Sequence, residues 1–261
     1  MHPETSRVRE EAVWFPNLRG RRLAAVFGRP ENGAPKALVV LCHGMLSGKN
    51  SPKHQSLAHR LSSRGIASLR FDFTSRYDSE GPVEEMTYTN QVGDLAGAVD
   101  CARKTFGPLP LGLYGSSMGG AVAILYTATH EPPDALATIS AVGRPGALWS
   151  AWGEGERLER WRLEGWITLE GTRLPYSFYQ DSLKQDVPGA ASRIRCPFLL
   201  VHGARDSIVP VVQCRELHAA AAGPKRIVIL PEADHRFSRP EDLERMLQEV
   251  SDWFFAHLLQ R

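Results

Sequence analysis

The chain has 261 residues, 43% of them hydrophobic and 23% charged, which is the composition of an ordinary globular domain with enough length to bury a sizeable core. Its 31 basic and 29 acidic side chains leave a formal charge of +2 and are interspersed, so no one-sided basic face points to a nucleic-acid partner. The opening "MHPETSRVREEAVWFP" carries no apolar core after its charges, and no uninterrupted apolar stretch reaches about 18 residues, so neither a secretion signal nor a membrane span is expected.

Four cysteines are scattered along the chain, and Cys42 and Cys196 fall in or beside apolar runs, where a thiol serves as a small hydrophobe. The expectation is a reduced, cytoplasmic protein with no disulfide, metal or cofactor.

The first apolar run, "RLAAVF" (22–27), predicts a strand and is followed by a polar turn, "GRPENGAPK" (28–36). "ALVVLCHG" (37–44) is apolar on both faces, as a strand covered on both sides must be. A helix pattern, "SPKHQSLAHRLSSRG", opens at Ser51 and Pro52 and stops at Gly65. The strand "IASLRFDF" (66–73) and the helix "YTNQVGDLAGAVDCARKTFG" follow, then the strand "LPLGLYGS" (109–116), the alanine-rich helix "MGGAVAILYTATHE" and the strand "ALATISAV" (135–142). After an interruption come the strand "PFLLVHG" (197–203), the helix "PVVQCRELHAAAAG" with its stop at Gly223, the strand "RIVILPEA" (226–233) and the terminal helix "RPEDLERMLQEVSDWFFAHLL". Strands alternating with helices imply right-handed crossovers and a three-layer α/β sandwich, a mostly parallel sheet with helices on both faces.

The interruption, residues 143–192, holds four of the six tryptophans, Trp149, Trp152, Trp161 and Trp166. It also holds a hairpin-like passage, "RWRLEGWITLEGTRLPYSFYQD", with its turn at Glu170-Gly171. Fifty residues without a core strand predict an inserted cap or lid over a core made of residues 1–142 and 193–261. The tryptophans equally suit a small core of the insertion itself.

Residues 115–119 read Gly-Ser-Ser-Met-Gly between a buried strand and a helix, the context in which a G-x-S-x-G pattern has meaning. So tight a turn strains the central residue and brings neighbouring backbones close, hence glycine at 115 and 119. The frame puts Ser117 at the apex, while Ser116 still belongs to the strand. A serine hydroxyl needs a base to take its proton, and the base needs an orienting carboxylate. "HGARDSIVP" supplies Asp206 just after one strand, and "EADHRF" supplies His235 just after the next. Loops at the carboxyl ends of parallel strands gather at one edge of the sheet, where Ser117 also emerges.

Asp72 is a rival third member whose alternative role is a hydrogen bond to a neighbouring loop, and Asp234 reads as a turn former. The tetrahedral intermediate's oxyanion needs fixed donors. The Met118 amide, at a helix start, is one; Met45, in the loop after "VVLCHG", is placed to give the other, with Gly44 allowing close approach and His43 bracing the loop.

The set "CHGM", "LRFDF", "SEG", "GSSMGG", "HGARDSIVP" and "ADHRF", in this order from about Leu38 onward, resembles the α/β-hydrolase superfamily, and most of all its cinnamoyl/feruloyl esterase-like branch, which grades into serine aminopeptidase-type hydrolases. The resemblance implies a nucleophile Ser117, acid Asp206, base His235, hole donors Met45 and Met118, and an insertion that caps the site and selects the acyl group. At "TSRYDSEG" this chain lacks the glycine-rich turn usual in such relatives, which bears on pocket shape and not on the triad.

The implied activity is hydrolysis of small aromatic or short-chain acyl esters through an acyl-enzyme, without cofactor or metal. Trp166, Tyr176 and Tyr179 are candidate substrate contacts, the tyrosines also being suited to lid packing. A peptidase or amidase would need Glu154, Glu156 or Glu159 to hold an amine, and a thioesterase would use the same triad; a receptor that keeps the pocket without turnover is the alternative of another kind. The exposed aromatic content is compatible with a homodimer, which nothing in the sequence specifies.

Overall fold

The computed structural model describes residues 8–30, 33–150 and 155–260. In chain order the elements are β1 (Arg9–Pro16), β2 (Arg22–Arg29), β3 (Ala37–Cys42), α1 (Pro52–Ser62), β4 (Ile66–Phe71), α2 (Tyr88–Phe106), β5 (Leu111–Ser116), α3 (Met118–Thr129) and β6 (Ala135–Ile139). The interrupting segment contributes α4 (Ala147–Ser150), α5 (Glu156–Glu164), β7 (Trp166–Leu169), β8 (Thr172–Pro175), α6 (Tyr176–Ser182) and α7 (Val187–Ala191). The chain then returns to β9 (Phe198–Gly203), α8 (Val211–Ala220), β10 (Lys225–Leu230) and α9 (Pro240–Leu259).

Eight strands form one sheet in the order β1-β2-β4-β3-β5-β6-β9-β10. From β4 to β10 every neighbouring pair is parallel, and β1 and β2 close the other end antiparallel. α1 and α9 pack together on one face, and α2, α3, α7 and α8 form a contiguous row on the other. Strands β3, β4, β5, β6 and β9 are buried along their whole length, the consequence of helices on both faces of a parallel sheet. This is the α/β-hydrolase architecture.

Several strands stop two or three residues earlier than their apolar runs: β3 at Cys42, β4 at Phe71, β6 at Ile139 and β10 at Leu230. The residues beyond β3, β4 and β6 are still buried, whereas Pro231 and Glu232 after β10 are exposed; in each case the backbone leaves the ladder to build the loops at the carboxyl edge. β1 has no counterpart in the sequence reading, because of its eight residues Phe15 alone is buried.

The segment after β6 is built around aromatic rings. Trp149 meets Trp161 edge-on at 5.2 Å and Phe178 at 5.8 Å, and Trp161 Nε1 donates to the Leu174 carbonyl at 3.0 Å. Phe178 stacks on Tyr88 of α2 at 5.2 Å, Thr89 Oγ1 donates to Asp181 at 2.6 Å, and Ser177 Oγ donates to the Glu84 carbonyl at 3.0 Å. These contacts tie the segment to α2 and the turn before it. β7 and β8 form a two-residue hairpin whose turn residues, Glu170 and Gly171, have φ of 45° and 75°, the left-handed pair such a turn requires. Trp152 and Glu154 lie outside the described residues.

Candidate active site

Ser117 sits between β5 and α3 with φ 53° and ψ −117°, a conformation that L-residues adopt only at a cost of about 1–3 kcal/mol. Its amide is held by the Ile139 carbonyl at 2.9 Å. A Cβ added at Gly115 would stand 2.3 Å from the Gly119 carbonyl oxygen, and one at Gly119 would stand 2.5 Å from that of His43, so the turn closes only with glycine at both places. Ser116 is buried and Ser117 partly exposed, and both line a cavity.

His235 follows β10, and its Nε2 lies 3.1 Å from Ser117 Oγ. Its Nδ1 lies 2.8 Å from Asp206 Oδ2, which follows β9. The second carboxylate oxygen of Asp206 accepts from the Ile208 and Val209 amides at 2.9 and 2.7 Å. Burial works against ionisation of Asp206, but hydrogen bonds from His202 and His235, the charge of His235 and the Val209 amide overcome it and hold the carboxyl far below the usual range. The carboxylate is therefore an ionised acceptor for the His235 Nδ1 proton.

His202 had no place in the reading of the sequence. It is fully buried on β9, with Nε2 2.9 Å from the Val209 carbonyl and 3.1 Å from the same Asp206 Oδ2 that meets His235. The only signal available was its position four residues before Asp206.

The loop after β3 passes beside the serine. A Cβ built on Gly44 would be 3.3 Å from Ser117 Cβ and 3.9 Å from Ser117 Oγ. Among the described hydrogen bonds neither the Met45 nor the Met118 amide donates to a protein acceptor; Met118 directly follows Ser117, and Met45 lines the same cavity. His43 braces this loop: its Nδ1 donates to the Gly44 carbonyl at 2.7 Å, and its Nε2 accepts from the Phe73 amide at 3.1 Å. Burial pulls the His43 imidazole down to about 4, so the ring is neutral with both nitrogens committed.

Asp72 makes no described hydrogen bond to His235. It pairs with Lys49, accepting from its Nζ at 2.6 Å and its amide at 2.7 Å, and so fixes the loop that carries Met45. Asp234 accepts from the Arg236 and Ser238 amides at 3.0 and 2.9 Å, the pattern of a turn former. In "TSRYDSEG" the left-handed turns persist without glycine, Ser75 at φ 64° and Tyr77 at φ 44°.

The cavity over Ser117 has a volume of about 270 Å³. Gly44, Met45, Ser47, His235, Arg236, Ile208 and Glu170 are among the residues that line it. Glu170, at the tip of the β7–β8 hairpin, reaches Arg236 at 2.7 Å and so brings the segment after β6 to the site. Trp166, Tyr176 and Tyr179 are not among the described residues that line it. The two tyrosines pack on Trp161 at 6.1 and 5.6 Å, and Trp166 lies under the Arg173 guanidinium at 4.2 Å. The hairpin presents its turn to the site, while its one aromatic, Trp166, is exposed beneath Arg173. A second hollow, of about 510 Å³, lies beyond Leu46 and Ser47, which line both.

Fold and site together define a member of the α/β-hydrolase superfamily. Residues 33–181 match the family described as serine aminopeptidase, S33, and the chain belongs to it. It is 26% identical over 259 residues to the mitochondrial palmitoyl-protein thioesterase ABHD10 of Mus musculus, covering 92% of this chain and 86% of that one. The ferulic acid-bound structure of Est1E from Butyrivibrio proteoclasticus superposes with a TM-score of 0.83 at 21% identity, over 94% of this chain and 99% of that one. The esterase domain of a Rhodothermus marinus protein gives a TM-score of 0.74 at 26% identity, over 96% and 100% of the two chains. Among the described residues no helix is long and apolar enough to cross a membrane.

Proposed function

We propose that this hydrolase is a serine carboxylesterase acting on short-chain or small aromatic acyl esters through an acyl-enzyme. The observation that carries the reading is the continuous line from Ser117 Oγ to His235 Nε2, 3.1 Å, and from His235 Nδ1 to Asp206 Oδ2, 2.8 Å. Ser117 attacks the ester carbonyl as His235 takes its proton, and Asp206 holds the imidazole with Nδ1 protonated. The Met45 and Met118 amides receive the oxyanion. His235 then passes the proton to the departing alcohol, and a water activated by the same nitrogen releases the acid.

A cavity of about 270 Å³ suits a butyryl or phenylpropenoyl group better than a long fatty chain. The thioesterase among the relatives keeps thioesters open as substrates of the same triad. The peptidase reading is disfavoured, since Glu159 is engaged with Arg162 at 2.5 Å on an exposed helix face and Glu156 is exposed as well.

The test is hydrolysis of p-nitrophenyl butyrate and of a butyryl thioester by wild type and Ser117→Ala. A loss of about 10⁴-fold or more in the variant is expected. Activity that survives the substitution, or ligand binding with no turnover in either protein, would overturn the reading in favour of a different nucleophile or a receptor. The ratio of the two wild-type rates separates ester from thioester preference.

A further inference from the structure

Lys53 lines the cavity over Ser117 from the first turn of α1. It is mostly buried, and among the described residues its one close partner is the Phe237 ring, whose centre lies 5.6 Å from Nζ. Lysines removed from water ordinarily end on a carboxylate, because an unpaired ammonium loses its hydration without compensation. The cavity's other cation, Arg236, has such a partner in Glu170. Among the described residues Lys53 has none, and it lines the space a substrate would fill.

The position of Lys53 also tells which half of a substrate it meets. His235 has to deliver its proton to the departing oxygen, so the leaving half of an ester lies on the histidine's side of Ser117. Lys53 packs against the loop that carries His235: its Nζ is 5.6 Å from the centre of the Phe237 ring, and Asp234 and Arg236, which flank His235, are the charges that act on it most. The α1 amino terminus adds to the positive field there, for its Ser51 side chain does not cap the helix. We propose that Lys53 forms an anion subsite for the leaving group, so that the preferred substrates are esters whose alcohol or phenol half carries a carboxylate. This rests on the esterase reading above.

The charges facing Lys53 are Asp234 and Arg236 beside His235 and Asp206 below it, with His54 next to it on its own helix. Burial pulls the Lys53 ammonium down to about 8; the charge of Asp234 opposes this, Arg236 adds to it, and Asp206 opposes it again. His54 is held neutral by burial and adds no charge near neutral pH. The subsite is thus cationic at pH 7 and loses its charge as pH rises through about 8.

The experiment uses two butyrate esters that differ in one charge, that of 4-hydroxybenzoate and that of methyl 4-hydroxybenzoate. The intrinsic reactivities of the two phenols differ, but the difference cancels when the ratio of their kcat/KM values is compared between proteins. That ratio is expected to fall about tenfold in Lys53→Met, the scale of one charge-assisted hydrogen bond, and to be retained in Lys53→Arg. In wild type it should decline as pH rises through about 8, because kcat/KM reports the free enzyme. The same preference is read without turnover as relative affinity of the two esters for Ser117→Ala and for Ser117→Ala carrying Lys53→Met. A ratio unmoved by Lys53→Met while hydrolysis stays dependent on Ser117 overturns the subsite and leaves the esterase. Carboxylate-selective binding that needs Lys53, in a protein that turns over neither ester, supports the subsite and overturns the esterase.

Discussion

His202 Nε2 and His235 Nδ1 converge on the same oxygen of Asp206, at 3.1 and 2.8 Å. One histidine faces the cavity and the other is sealed in the sheet, so Asp206 Oδ2 is fixed from behind while it fixes the imidazole in front. The buried ring's Nε2 is the donor, directed between Asp206 and the Val209 carbonyl, and its Nδ1 has no partner among the described residues.

Removing that donor is expected to loosen the carboxylate without emptying the cavity. His202→Phe, which keeps the ring, should lower kcat for p-nitrophenyl butyrate by about tenfold with KM little changed. His202→Asn, which keeps an N–H, should recover part of the loss. Equal losses in both variants, tracking a fall in Tm, would reduce His202 to a packing residue.

The strained backbone at Ser117 makes a prediction about stability. Glycine adopts φ near 53° without the steric cost that any Cβ brings, so Ser117→Gly should exceed Ser117→Ala in unfolding free energy by about 1 kcal/mol, both being inactive. Urea titration of the two variants measures the difference. If alanine proved the more stable, the turn would not be under strain.

Two buried histidines set the acid side of the stability profile. His43 is depressed to about 4 and His54 lies well below its ordinary value, in both cases chiefly through burial. The unfolded chain takes up these protons near pH 6.5 and the folded chain does not, so their contribution is complete above about 6.5 and is lost as pH falls from there toward 4. Asp94, whose carboxyl is raised by burial, acts in the opposite direction from a lower starting point. Urea midpoints should fall between pH 7 and pH 4, and His54→Gln should flatten the slope. A profile level across that window would contradict the assignment of neutral buried rings.

The Glu170–Arg236 pair is exposed on both sides, 55% and 60%, and such pairs contribute little to stability. Glu170→Gln is expected to leave the unfolding free energy within about 0.5 kcal/mol of wild type. Because Glu170 lines the cavity, the same change should raise KM for p-nitrophenyl butyrate by roughly threefold with kcat nearly constant. A change confined to kcat would place the pair in the chemistry instead of the wall.

The parallel strands and the residues at their carboxyl ends were legible because burial on both faces leaves continuous apolar runs, and the loops that follow them carry Ser117, Asp206 and His235 in plain sight. β1 was not, since an edge strand with one buried residue has no run to read. Lys53 was hidden for a different reason: a lysine in the first turn of an amphipathic helix looks like a solvated charge until the fold lays the His235 loop over it. Tyr176 and Tyr179 suited both a binding wall and packing within the segment, and they pack on Trp161; the hairpin meets the site through Glu170, a residue that composition marks only as a turn.

β10, which leads into His235, is the outermost strand of its end of the sheet, hydrogen-bonded to β9 alone, whereas Ser117 grows out of β5 near the middle. Outer strands open at lower free energy than central ones, so local fraying would separate His235 from Ser117 while most of the ladder is intact. Mild heat or low denaturant should therefore silence the enzyme well before circular dichroism registers a transition, and recovery on cooling should be prompt, because one strand has to find its place again and the remainder never left.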